Sequence, residues 1–250
     1  IILTTSNGGS TWNRIPATNV PLVDSVSAEV GINNNIEIQG STAWLMTYGN
    51  GTSIRPRVFK SLDKGISWVF TARAAMYDGS GFSMRDQNTG IICSYLSGAV
   101  SRTSNGWVTS DSLLLFGGAY GLRSVDWIPG TNAILTVGGP TSAGFSALSK
   151  DGGNTWTQQT TPTGAARLYH VQSVNGSTGW AVGNSGTILK WTGEDLGTPA
   201  IGNPAQISFG SVTAGNIGQL DFRLDNVGSG TLTVSSITSN NAAFSVNPTT

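Results

Sequence analysis

Three short segments, "MYDGSGFS", "GAYGLRSV" and "GAARLYHV", hold the side chains best suited to binding chemistry: Tyr77, Asp78, Tyr120, Arg123, Arg167, Tyr169 and His170. Aromatic rings beside arginines suit sugars or acidic groups, because a ring face stacks while a guanidinium pairs. Ordinary surface decoration is the plainer account of the same residues. His170 is the single histidine. A Ser-His-Asp arrangement would need it, yet no G-x-S-x-G elbow stands in a suitable context. One histidine cannot build a histidine-rich metal site. Asp/Asn-rich turns offer oxygen ligands of the kind Ca²⁺ takes, but EF-hand spacing is absent, so no cofactor is expected. Cys93 lies in the apolar run "GIICSYL" and reads as a small buried hydrophobe.

These segments need a scaffold, and a repeat supplies one. "TSNGGSTW" (5–12), "SLDKGISW" (61–68) and "SKDGGNTW" (149–156) align on their last residue. The shared positions are Thr5, Ser61 and Ser149, then Asn7, Asp63 and Asp151, then Gly9, Gly65 and Gly153. Each segment ends on its indole, Trp12, Trp68 or Trp156. A fourth, eroded copy reads "TSNGW", Thr103 to Trp107. An Asp or Asn oxygen accepts backbone N–H groups across a tight loop, and Gly takes the positive φ that the loop needs. The hydroxyls satisfy further backbone groups, and the Trp buries its ring as the next strand begins.

These stretches resemble the Asp-box, or bacterial neuraminidase repeat, S-x-D-x-G-x-x-W. The resemblance implies a β-propeller in which each box locks the turn between the third and fourth strands of a blade. Segments such as "IPGTNAILTVGGPTSAGFSALSKDGGNTW" are similar to repeats of photosystem II assembly factors and of secreted bacterial proteins. Four blades are expected to end near Trp68, Trp107, Trp156 and Trp191, preceded by the tail of another, so four to five are visible. The likeness covers residues 1–193, and it implies that the entry loops carrying Tyr77 to His170 gather on one face.

Residues 194–204 cluster Gly and Pro and read as a linker. Residues 205–250 resemble the start of an Ig-like choice-of-anchor or ASH-type sandwich. The matching residues are Phe209-Gly210, Leu224-Asp225-Asn226-Val227-Gly228 and Phe244-Ser245-Val246. A sandwich takes about 100 residues, so a longer parent chain or assembly is expected. The fold class is thus all-β: a propeller of four-stranded blades followed by a partial β-sandwich.

Composition agrees. Charged residues make up 10% of the 250, with four Lys and three Glu, too few to fill exposed helix positions. Net charge is zero, so a basic footprint for nucleic acid and a polybasic membrane patch are both missing. No run reaches a membrane span, and "IILTTSNGG" is no signal peptide.

Three functions follow. The leading one is a non-enzymatic extracellular or cell-surface module, bacterial and secreted, used for adhesion, display or scaffolding through a protein or glycan partner. The second is a sialidase-like glycoside hydrolase. That resemblance implies three arginines on a carboxylate, a Tyr nucleophile helped by a Glu, and an Asp acid. "NRIP" (13–16) is similar to the sialidase RIP motif with Arg14 as the clamp, but it follows a box instead of preceding one. With Glu29, Glu37 and Glu194 alone, no Tyr–Glu pairing can be placed on two later blades. A pair of carboxylates acting on a glycoside stays open. The third is an assembly factor that holds a partner protein; the Ig-like tail counts against it.

Overall fold

The computed structural model describes residues 1–22, 30–48, 55–191, 196, 201, 202, 208, 210–222, 224–226, 232, 234, 236–239, 241 and 243–246, with backbone alone at 30, 32–34, 202 and 226. Glu29, Glu194, Phe209, Val227, Gly228 and most of the 194–204 linker lie outside them.

The chain folds as successive antiparallel sheets. A hairpin pairs β1 (Leu3–Thr4) with β2 (Asn13–Arg14). The first full sheet runs β3 (Val30–Gln39), β4 (Thr42–Tyr48), β5 (Arg57–Ser61), β6 (Val69–Arg73). The second runs β7 (Gly81–Met84), β8 (Gly90–Cys93), β9 (Ala99–Thr103), β10 (Asp111–Leu114). The third runs β11 (Leu122–Trp127), β12 (Ile134–Gly138), β13 (Phe145–Ser149), β14 (Thr157–Gln159). A three-stranded sheet follows: β15 (Leu168–Asn175), β16 (Thr178–Gly183), β17 (Ile188–Lys190). Each sheet is a simple up-and-down meander, and first strands neighbour one another in order: β3 on β7, β7 on β11, β11 on β15. This is propeller architecture with four blades. No described helix is long and apolar enough to cross a membrane.

Alternation builds the core between blades, because period-two side chains face opposite neighbours. On β4, Ala43 and Leu45 pack toward the hairpin while Trp44 and Met46 pack toward the second sheet. On β12, Ile134 faces back and Leu135 and Val137 face forward. Full burial of such side chains is worth roughly 1.5–3 kcal/mol each. Gly81 lets β7 and β11 come this close: a Cβ there would sit 2.8 Å from the Ser124 Cα and 2.9 Å from the Cys93 sulfur. Cys93 is buried, as its apolar setting predicts, and burial pushes its thiol up to about 12.

The boxes are hairpin locks. Ser61 Oγ accepts the Gly65 N–H at 2.8 Å and donates to Asp63 at 2.7 Å. Asp63 accepts the Ser67 N–H at 2.9 Å, and the Trp68 indole donates to the Gly65 carbonyl at 2.9 Å. Ser149, Asp151, Gly153 and Trp156 repeat the pattern. In the first box, Thr5 Oγ1 accepts the Gly9 N–H and Asn7 accepts the Thr11 N–H.

Two expectations about the indoles need correction. Trp12 is 59% exposed, whereas Trp68 is buried and Trp156 packs against the core. Each box Trp covers the interface with the preceding sheet, and no described sheet precedes the hairpin. The fourth box is not eroded but shifted. Thr103, Asn105 and Thr109 make the box hydrogen bonds at the usual spacing. Trp107 therefore occupies the glycine position, at φ 70°, and Ser110 the usual Trp position. From there its ring still fills the gap between the first two sheets, under Phe82, with Nε1 3.2 Å from the Met84 sulfur.

The Ig-like sandwich expected over residues 205–250 falls partly outside the described residues. Among the tail's described residues, strand pairing is limited to β18 (Ile201–Gly202) with β19 (Asp225–Asn226), and Phe222 and Phe244 are exposed.

Candidate functional site

Up-and-down strands send the loop entering the first strand and the turn between second and third strands to the same end. The boxes lie at the opposite end. At the loop end, between the second and third sheets, Tyr95, Leu96, Ala119, Gly121, Gly139, Pro140 and Arg167 line an open cleft of about 300 Å³.

Tyr95 is its floor. The Arg123 guanidinium carbon lies 3.5 Å from the centre of that ring and 5.8 Å from the Tyr169 ring, and Arg167 stands 5.5 Å over Tyr95. Arg167 is fixed: its Nε donates to the Gly139 carbonyl at 3.0 Å and Nη2 to Thr141 at 2.9 Å. Arg123 is not. Its Nε is buried with no hydrogen-bond partner among the described residues. A desolvated, unpaired guanidinium nitrogen is costly, and an incoming acceptor would relieve the cost. Two cations on one aromatic floor suit an anion of modest size, and a carboxylate matches the guanidinium fork.

The sequence-derived residues divide into groups. Arg167 lines the cleft, and Arg123 lies on the ring of its Tyr95 floor with Tyr169 alongside. Tyr120 stacks flat on Phe145 with centroids 4.2 Å apart and packs against the core, so its ring supports the wall. Asp78 is buried at φ 61°, and its carboxylate accepts the Leu96 N–H at 2.6 Å and the Ser94 hydroxyl at 3.2 Å. It holds the turn that presents Tyr95. Tyr77 lies apart, under Arg55 at 5.4 Å. His170 sits beside β11 with Nδ1 3.2 Å from Ser124 Oγ, and burial lowers its pKa.

Sequence reasoning followed the entry loops and so missed Tyr95. Its signal was the Gly-containing turn after the apolar run "GIIC", which strand alternation places at the same end as the entry loops. It also missed two carboxylates on the first strands. Burial pushes Glu37 up to about 7, with Asp126 adding repulsion and Ser83 partly offsetting it. Burial likewise raises Asp126 to about 6. Asp126 accepts the Ser173 N–H at 2.5 Å, while Ser83 Oγ accepts the Trp127 N–H at 3.0 Å. These groups stitch neighbouring blades. The box carboxylates, offered in sequence as Ca²⁺ oxygens, are engaged by N–H and hydroxyl donors, which draw Asp63 and Asp151 down to about 2.

Residues 102–192 match the family model described as Photosynthesis system II assembly factor YCF48. That span contains Arg123, Arg167, Tyr169 and His170; Tyr95 lies before it. No curated protein matches the sequence. Similar solved structures include YCF48 bound to D1 peptide, at 15% identity over 77% of this chain and 72% of that one, TM-score 0.40. The computationally designed Ika4 protein is 12% identical over 70% of this chain and 96% of that one, TM-score 0.47. The GH74 xyloglucanase from Xanthomonas campestris is 14% identical over 61% and 27%, TM-score 0.47.

Proposed function

We propose that this propeller holds a peptide segment of a partner protein, seating a carboxylate of that peptide on Arg123 and Arg167 above Tyr95. One observation carries the reading: a buried guanidinium nitrogen of Arg123, without a partner among the described residues, on the same Tyr95 ring that floors an open cleft lined by a second arginine. The match of residues 102–192 to an assembly-factor family supports it, and YCF48 itself is known with a D1 peptide bound. This favours the partner-holding alternative over adhesion.

Catalysis is not required. A guanidinium fork binds and orients an anion, and that is all the reading asks of Arg123. The test is a fluorescence-anisotropy titration with labelled peptides bearing a free C-terminal carboxylate, or internal Asp and Glu, and their amidated counterparts. Acidic peptides should bind the wild type at least tenfold more tightly than their neutral forms, and Arg123→Gln should erase the difference. Equal binding of both forms, or neutral glycans captured equally by wild type and Arg123→Gln, would contradict the proposal.

A further inference from the structure

Charge is sorted by end of the blades, although the chain as a whole carries none. All four lysines stand at the box end: Lys60 near the end of β5, Lys64 and Lys150 in box turns, Lys190 closing β17. Most described carboxylates of the blades keep them company. Asp63 and Asp151 belong to boxes, Asp86 to the turn after β7 and Asp111 to the start of β10. Glu37 and Asp126 lie toward the box ends of β3 and β11.

The loop end carries arginine instead. Arg57 and Arg73 are engaged there, donating to the Leu22 and Arg55 carbonyls at 3.1 Å each. Arg55, Arg123 and Arg167 each stand over a tyrosine ring. Asp78 is the one carboxylate at this end among the described blade residues, and it is buried and already hydrogen-bonded. A zero net charge thus conceals a positive face.

Arg55 and Tyr77 form a second cation–aromatic pair, one blade before the cleft. Arg55 comes from the turn between β4 and β5, and Tyr77 from the loop entering β7. The guanidinium carbon lies 5.4 Å from the ring centre, and both residues are exposed. Among the described residues that guanidinium makes no hydrogen bond or ion pair. One network ties this pair to the cleft. The Tyr77 carbonyl accepts the Ser94 hydroxyl at 3.5 Å, and the Asp78 carboxylate accepts the Leu96 N–H at 2.6 Å. Tyr77 and Tyr95 are therefore presented by two loops clamped together.

We infer that the loop end takes a peptide segment with two acidic residues, one seated on Arg123 and Arg167 above Tyr95 and the other on Arg55 beside Tyr77. Neighbouring sheets pack about 10 Å apart, and an extended chain advances about 3.3 Å per residue. The two acids therefore stand about three residues apart. This rests on the carboxylate seat proposed at Tyr95 and adds the charge spacing of the partner.

The test titrates the full chain with labelled peptides that differ only at two positions: Asp-x-x-Asp, the two forms with a single Asp and a single Asn, and Asn-x-x-Asn. The wild type should bind the two-acid peptide about three- to fivefold more tightly than the better single-acid one, the range of an exposed ion pair. Arg55→Gln should remove that gain and still prefer a single acid over none. Arg55 is exposed, so far-UV circular dichroism should be unchanged. A second acid that adds nothing, or a gain that survives in Arg55→Gln, would overturn the inference and leave the seat at Tyr95 standing. Equal binding of all four peptides would overturn both.

Discussion

The Arg123 guanidinium lies against the Tyr95 ring, 3.5 Å from its centre, yet these residues come from different blades. A flat cation on a flat ring is held without using up its hydrogen-bond donors. Tyr95→Ala should loosen that geometry while leaving the charge in place. Binding of an acidic peptide should weaken by about five- to tenfold, roughly the 1–1.4 kcal/mol of one such contact. Arg123→Gln should cost more. Comparing the two in the same anisotropy titration checks the order.

Trp107 fills the gap between the first two sheets from a left-handed backbone position. Trp107→Ala removes the ring and should destabilise the fold by about 3–5 kcal/mol, as for other buried Trp residues. Trp12→Ala should move the midpoint of urea unfolding little, because that ring is 59% exposed. Equal effects of the two substitutions would contradict the assigned packing.

Ser149 Oγ accepts the Gly153 N–H at 2.8 Å while donating to Asp151 at 2.9 Å, and it is buried. Ser149→Ala leaves that N–H unpaired and should cost about 1–3 kcal/mol. Ser149→Thr should restore most of it, since Thr103 performs the same task in its box. Chemical denaturation of the three proteins gives the comparison.

Glu37 and Asp126 have folded values raised to about 7 and about 6, above their unfolded ones. Their contribution to stability is full below the unfolded value near 4 and is lost as pH rises through 6 to 7. Asp63 and Asp151, drawn down to about 2, act the other way: their contribution is present above the unfolded value and lost as pH falls toward 2. Stability should therefore be greatest near pH 4 and decline from there to about pH 7. Glu37→Gln should flatten the decline between about pH 4.5 and 7, read from denaturant midpoints.

The architecture was legible because its signals are local. Ser, Asp and Gly at box spacing fix hydrogen bonds within eight residues, and the structure makes those bonds in all three quoted copies. Alignment on Trp misread the fourth, where hydroxyl and amide spacing is the better guide and the ring only has to reach the same gap. Arg123 and Arg167 were legible as cations where the entry loops meet the first strands. Tyr95 was not, since its role depends on a neighbouring blade's entry loop. The Glu37–Asp126 relationship likewise exists only after β3 and β11 take their places on either side of β7.

Hydrogen exchange of the chain with and without a captured acidic peptide tests the binding proposal most directly. Protection should concentrate in 94–98, 119–121, 139–144 and 165–169, and it should vanish for Arg123→Gln. Protection confined to the box turns, with the cleft segments exchanging as before, would contradict it.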